Sequence, residues 1–160
     1  MSYNTIKFRL IQKEDAILIF KWRNTPFITS FGSLNRTVGW EEHYAWIENT
    51  VLSKTRKAYI ILINDEPAGQ LRFDKEELYS DLCVISVYLI ENYTGKGSGV
   101  IAIQKGCELI KKEWVDIRFI QANVLRTNKN GQKAFLKAGF IHNPDSDNDK
   151  HYSYIYTSKK

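Results

Sequence analysis

The sequence is poor in the residues that mark several protein classes. Of its 160 residues only two are cysteines, Cys83 and Cys107, 24 positions apart and without a CxxC spacing, which excludes a disulfide scaffold. The three histidines, His43, His142 and His151, are scattered, so no metal site is expected. Proline is scarce, and no Pro/Ser-rich linker, repeat or low-complexity tract interrupts the chain. It therefore reads as one domain over residues 1–160. No run approaches the roughly 20 apolar residues that cross a bilayer, and MSYNTIKFRL lacks the basic, then apolar, then small-residue order of a secretory leader. A cytoplasmic protein without membrane contact is the expectation.

What the sequence does have is core-forming material, 43% hydrophobic with 13% aromatic, enough to exclude wholesale disorder. Its net charge of +5 is uneven: residues 1–80 hold 11 basic against 10 acidic side chains, residues 81–160 hold 12 against 8. No acid stands between Asp116 and Asp145, while Arg118, Arg126, Lys129, Lys133 and Lys137 do. Such a stretch suits a nucleic-acid surface or a small polyphosphate ligand, and charge alone does not choose between them.

Hydrophobic periodicity predicts the order βααβββαβαββ. Ile6–Ile11 alternates as a strand, and Glu14–Asn24 has helical spacing that Thr25–Pro26 ends. Trp40–Leu52 is a second helix with Tyr44, Ile47 and Val51 on one face. Ala58–Ile63 and Gly69–Phe73 form a hairpin across the turn Asn64-Asp65-Glu66-Pro67. Leu82–Ile90 is a nearly unbroken apolar run, read as a strand buried on both faces. A helix from Val100 to Trp114 buries Ile103, Cys107, Ile110 and Trp114. The remaining elements are a strand Ile117–Val124, a helix Lys129–Ala138 capped by Gly139, and strands Phe140–His142 and Tyr152–Tyr156. The fold class is α/β: a mixed sheet with helices on its faces.

Between the apolar strand and the longest helix lies Thr94-Gly95-Lys96-Gly97-Ser98-Gly99. Glycines at every second position let a ligand approach the backbone, and the N–H groups at the positive end of the helix dipole can hold an anion. A diphosphate offers this cluster of donors more acceptor oxygens than a carboxylate does, and Lys96 adds a point charge. Neither a GxGxxG nor a long loop closed by GK[ST] is present, so dinucleotide and nucleotide-triphosphate fingerprints do not fit.

The run ISVYLIENYTGKGSG, followed by a helix, a strand and NKNGQKAFLKAGF, resembles the GNAT superfamily of acetyl-CoA-dependent N-acetyltransferases, and the resemblance spans essentially the whole chain. It implies a central mixed, largely antiparallel sheet of six to seven strands with about four helices. It also implies acetyl-CoA as co-substrate, held by Val87, Tyr88, Leu89, Thr94, Gly95, Lys96, Gly97, Ser98, Gly99 and Val100 on one side and by Asn128, Lys129, Lys133 and Phe135 on the other. Thr94 stands where the family usually has Gln or Arg, and Phe135 where it often has a catalytic Tyr. Asn128 is implied to face the thioester. A main-chain N–H near Tyr88 or Leu89, at a bulge in the strand, is implied to polarise the thioester oxygen.

The amino-terminal half is similar to the GNAT branch that acetylates nucleotide-activated bacterial amino sugars of the pseudaminic- and legionaminic-acid type. Trp22-Arg23-Asn24, Ser30-Phe31 and Trp40-Glu41-Glu42-His43 carry that likeness. The acceptor-side candidates are accordingly Trp22, Arg23, Asn24, Phe31, Trp40, Glu42 and His43, with Arg23 or Arg36 as partner of a nucleotide diphosphate. Acetyl transfer needs a neutral amine and a proton for the departing thiolate. Glu77, His43 and Glu42 are candidates to take the amine proton; Tyr88, Tyr93 and Tyr79 are candidates to supply the other. Cys83, in an apolar strand, reads as an inert buried thiol.

The expected partner is a small-molecule amine, with no nucleic acid or metal, and homodimerisation is left open. The alternatives are acetylation of a protein N-terminus or a polyamine, a domain that binds acetyl-CoA without turnover, and a nucleic-acid module on the basic stretch. The last leaves the glycine turn unexplained.

Overall fold

The computed structural model describes residues 4–30 and 36–157. Seven strands form one sheet: β1 (Ile6–Leu10), β2 (Arg56–Ile63), β3 (Glu66–Lys75), β4 (Leu82–Leu89), β5 (Phe119–Leu125), β6 (Ile141–His142) and β7 (His151–Thr157). Their spatial order is β1-β2-β3-β4-β5-β7-β6. Every neighbouring pair is antiparallel except β4 and β5, which run parallel. The helices are α1 (Ala16–Arg23), α2 (Pro26–Thr29), α3 (Trp40–Leu52), α4 (Ser98–Glu113) and α5 (Lys129–Lys137). The mixed, largely antiparallel sheet matches expectation; the described residues form five α-helices where about four helices were expected.

Alternation along the strands sorts side chains to two cores. Leu71, Phe73, Cys83 and Ile85 meet Ile103, Cys107 and Ile110 of α4 on one face. Ala58 and Ile60 meet Ile19 and Trp22 of α1 and Ile47 of α3 on the other. Enclosing an isoleucine of this kind stabilises by about 1.5–3 kcal/mol, so each helix is fixed chiefly by its buried stripe. The face predicted for α4, Ile103, Cys107, Ile110 and Trp114, is buried throughout.

Several local expectations are corrected. The helix expected at Glu14–Asn24 begins as a 3-10 turn at Lys13–Asp15. The Asp15 carboxylate accepts from the Gln12 N–H at 2.9 Å and from Arg9 at 2.8 and 2.9 Å, and these bonds bend the chain there. Thr25-Pro26 ends α1 but also starts α2, with Thr25 Oγ1 accepting from the Ile28 N–H and Pro26 in the first turn, where its missing N–H costs nothing. On α3 the buried stripe is His43, Ile47 and Thr50, and Val51 is exposed.

The β2–β3 turn is only Asn64-Asp65, both at positive φ (52° and 67°), the conformation a two-residue hairpin loop favours. Glu66 and Pro67 already belong to β3, beside a register shift at Ile61/Leu62. β4 is fully buried at Cys83, Ile85 and Leu89 but only half-buried at Val84, Ser86 and Tyr88, because part of its second face fronts a cleft. β5 starts at Phe119, since Ile117 is tied back to the Trp114 carbonyl. Gly139, at φ +105°, does end α5: its N–H bonds the Leu136 carbonyl and the Phe140 N–H bonds the Phe135 carbonyl, the paired closure typical of a left-handed cap.

Candidate active site

The cleft begins where two strands part. β4 and β5 are paired only between Leu82–Ile85 and Phe119–Ala122. Beyond these residues β4 stays with β3 as far as Leu89, and β5 stays with β7 as far as Leu125. A cavity of about 910 Å³ lies in the opening, lined by residues 85–89 of β4 and 123–125 of β5, a size suited to small-molecule ligands. The bulge expected at Tyr88–Leu89 is not there: β3 and β4 keep register from Lys75↔Cys83 to Gly69↔Leu89. Gly69 permits this, since a Cβ there would lie 2.1 Å from the Tyr88 carbonyl oxygen.

One end of the cleft is the turn before α4. Gly95 (φ +75°) and Gly97 (φ +80°) are left-handed, and Gly97 is the N-cap of α4 with no side chain capping it. The first N–H groups of a helix lack intrahelical partners and carry partial positive charge. A Cβ added at Gly95, Gly97 or Gly99 would meet nothing within 4 Å, so the space beside those groups is open. The Thr94 hydroxyl is used locally, donating to the Glu91 carbonyl at 2.7 Å. Opposite stands α5, whose N-cap Asn128 accepts from the Gly131 N–H at 2.9 Å. Lys133 and Lys137, one turn apart, also reach the lining.

The other end is walled by arginines around Trp46. The guanidiniums of Arg23, Arg56 and Arg72 lie 5.0, 5.5 and 5.8 Å from that ring, and Arg36 also lines the cavity. Asp74 takes Arg56 on one oxygen and Arg72 on the other, while Glu42 takes Arg36 at 2.9 and 3.3 Å. Arg72 also donates to Ser86 Oγ at 3.2 Å. Tyr88 donates to Gln70 Oε1 at 2.9 Å, and burial pushes its phenol pKa well up despite Arg23 and Arg72 nearby. The Arg36 bond, outweighing desolvation, holds Glu42 below the ordinary carboxylate range, which makes it a weak base.

The structure brings together Arg23, Glu42, Val87, Tyr88, Leu89, Thr94, Gly95, Gly97, Gly99, Val100, Asn128, Lys133 and Phe135 in the lining. Phe135 is otherwise buried, edge-on to Phe140 at 5.0 Å. Lys96, Ser98 and Lys129 lie outside the lining, although Ser98 is the first residue of α4. Other expected residues are elsewhere. Glu77, exposed in the β3–β4 connection, sits at the opposite end of β4 from the glycine turn. Tyr79 shares that connection and is exposed. Tyr93 packs against the α4 core. His43 is enclosed and Trp22 is buried edge-on to Tyr88. Trp40 joins an aromatic cluster with Phe20 and Tyr44. Asn24 clasps Val38 through bonds of 3.0 and 2.7 Å. Phe31 lies outside the described residues. Cys83 and Cys107 are buried, with both thiols pushed up to about 12 by burial.

Sequence reasoning missed Trp46, Arg56, Gln70, Arg72 and His151, all in the lining. One signal was available: Gln70, Arg72 and Asp74 alternate with Leu71 and Phe73, so β3 carries a polar row on the face away from α4. Among the described residues no group of three or more His, Cys, Asp or Glu side chains is placed to hold a metal. No described helix is long and apolar enough to cross a membrane.

The family described as "Acetyltransferase (GNAT) domain" matches residues 5–141, and the chain belongs to it. A relative named acetyltransferase PseH, from Campylobacter jejuni subsp. jejuni, is 25% identical over 151 residues, covering 92% of this chain and 88% of its own. Among solved structures, the aminoglycoside acetyltransferase AAC(6')-Ib bound to paromomycin and acetyl-CoA is similar with a TM-score of 0.84, at 18% identity over 96% of this chain and 93% of its own. The ribosomal alpha-N-protein acetyltransferase RimL, in complex with coenzyme A, is similar with a TM-score of 0.81, at 17% identity over 96% of this chain and 94% of its own.

Proposed function

We propose that this GNAT acetyltransferase uses acetyl-CoA to acetylate the amino group of an anionic small molecule, a nucleotide-linked amino sugar. The donor half of the reading rests on the fit of the cleft. The open N-terminus of α4 with its left-handed glycines suits the diphosphate, Lys133 and Lys137 lie across from it, and the parted strands leave room for the pantetheine arm. AAC(6')-Ib and RimL, which share the fold, were solved with acetyl-CoA or coenzyme A.

The acceptor half rests on the arginine wall. Four guanidiniums, Arg23, Arg36, Arg56 and Arg72, are opposed among the described residues by two carboxylates, Glu42 and Asp74. A surplus of positive charge at a partly desolvated site favours an anionic acceptor and disfavours a polyamine or an aminoglycoside. Trp46 and the arginine planes suit the flat faces of a nucleobase. The likeness to acetyltransferase PseH supports the same branch.

In transfer, the amine nitrogen bonds the acetyl carbon as the carbon–sulfur bond breaks, and the amine loses a proton while the thiolate gains one. No carboxylate in the described lining is free to act as base, because Glu42 is paired with Arg36. The positive wall instead disfavours the ammonium form of the acceptor and releases its proton to water. Tyr88 is the phenol in the lining, but burial raises its pKa and its O–H already donates to Gln70 Oε1, so we assign the supply of the thiolate's proton to water in the cleft. Positioning both reactants along the parted strands then provides much of the acceleration.

Thiol-release assays with acetyl-CoA and a panel of acceptors test the reading. The panel holds nucleoside-diphosphate-linked amino sugars, an aminoglycoside, spermidine, and peptides with acidic and neutral amino-terminal segments. Turnover of the nucleotide-linked sugars above all others is expected. Turnover confined to peptides or to spermidine would overturn the acceptor and leave the donor assignment standing.

A further inference from the structure

Arg23 differs from the other arginines of the wall. Arg36, Arg56 and Arg72 are each held by a carboxylate. Arg23 is half-buried, lines the cleft, and has no carboxylate within ion-pair distance among the described residues. Its terminal nitrogen lies 3.1 Å from Nδ1 of His43. His43 is fully enclosed, and its Nε2 lies 2.7 Å from the Ala16 carbonyl oxygen. That carbonyl can only accept, so Nε2 carries the proton; the guanidinium can only donate, so Nδ1 is bare. The two partners fix one neutral tautomer. Trp46 completes the clamp, lying 6.4 Å and 21° from the imidazole and 5.0 Å beneath the guanidinium. Phe20 and Trp40 close other sides of the ring at 5.3 and 5.9 Å.

We infer that His43 is a positioning residue for acceptor specificity: in its neutral form it holds Arg23 against Trp46 and aims that guanidinium at the acceptor's diphosphate. The inference rests on the acceptor reading above and deepens it. A guanidinium held by a neutral ring keeps its whole charge for the ligand, whereas one paired to a carboxylate has already spent part of it. Protonated His43 would set a donor against a donor and a cation against a cation inside an enclosure, and Arg23 would have to leave its place. The charged neighbour of the imidazole is Arg23 itself; around Arg23 stand Arg72 and Tyr88 from the sheet, Glu42 of α3 and Arg36 before it. Burial, and then the facing guanidinium, hold the imidazole below its ordinary 6.5, so neutral His43 persists at neutral pH.

The experiment compares KM and kcat for a nucleoside-diphosphate-linked amino sugar and for the same sugar without the nucleotide, from pH 7.5 to 5.5. Taking the ratio of the two KM values cancels the titration of the shared amine. In the wild type the preference for the linked sugar, carried by KM, should be about tenfold stronger at pH 7.5 than in His43→Phe, as expected for one charge-assisted contact, and should weaken only where falling pH protonates His43. His43→Phe keeps a ring in the clamp but gives up both hydrogen bonds, and should show the weakened preference at every pH. His43→Asn, whose Oδ1 can replace Nδ1 as acceptor, should recover most of it. Arg23→Ala separates the two readings. If it leaves the preference intact, the acceptor reading fails at this contact and the inference fails with it. If it abolishes the preference while His43→Phe does not, only the positioning role is overturned. Should His43→Phe fail to fold, nitrogen-15 NMR of the wild-type imidazole decides: a neutral ring with its proton on Nε2 is expected, and one protonated on Nδ1 or positively charged at pH 7.5 contradicts the inference.

Discussion

Single residues set the shape of the cleft more than composition does. Gly69 lets β3 approach the Tyr88 carbonyl at a distance no side chain tolerates. Gly69→Ala should therefore cost about 3 kcal/mol or prevent folding, the upper end for overpacking against backbone; a urea unfolding curve showing a loss under about 1 kcal/mol would contradict the close approach. His43 ties stability to pH with a definite sign. Its folded pKa is depressed, so the stability gained by keeping it neutral is whole above its ordinary 6.5. That contribution is lost as pH falls from there through the lower folded value. His43→Phe should therefore reduce the drop in melting temperature between pH 7.5 and 5.5. The roles of His43, Trp22 and Trp40 were not legible because residue type does not carry direction. All three lie on helices whose phase against the sheet is set by the whole core: the buried stripe of α3 is His43, Ile47 and Thr50, one step from the face its apolar residues advertise.

At the scale of elements, the strand–turn–helix unit from Leu82 to Glu113 was readable because its chemistry is local. Glycines in a turn, a buried strand before it and an amphipathic helix after it are adjacent in sequence, and the structure turns them into a helix N-terminus open to the cleft. Gly97 and Gly99 differ in how they can be tested. Gly97 is left-handed, so any side chain there strains the backbone, whereas Gly99 is an ordinary helical residue beside open space. Gly99→Val should thus weaken acetyl-CoA binding by about tenfold or more, roughly 1.4 kcal/mol, while melting temperature changes little. A calorimetric titration with unchanged affinity would contradict the assignment of the turn. The parting of β4 from β5 was not legible, because it depends on where two strands 30 residues apart in sequence stop pairing, after Ile85 and Ala122. The placement of Glu77 failed for the same reason: only the topology shows that its hairpin lies at the far end of β4.

At the scale of the molecule, charge acquires meaning from where the fold gathers it. The basic stretch 118–137 divides in the structure: Lys133 and Lys137 line the cleft, and Lys129 does not. Lys133→Ala should weaken coenzyme A binding a few-fold at low salt and less at high salt, while Lys129→Ala should matter less, since exposed contacts to phosphate are screened. Equal effects of the two would contradict the division. The arginine wall is assembled from α1, the segment before α3, β2 and β3, elements spread over residues 23–72. Its net charge was invisible in a first half that counts 11 basic against 10 acidic residues. The wall gives the central claim its direct test, a comparison of kcat/KM for a nucleoside-diphosphate-linked 4-amino sugar and for the free amino sugar under identical conditions. Binding energy from the remote nucleotide, gathered by the arginines, should position the amine and raise kcat/KM by about 100-fold or more over the free sugar. Equal efficiency for the two would contradict the account.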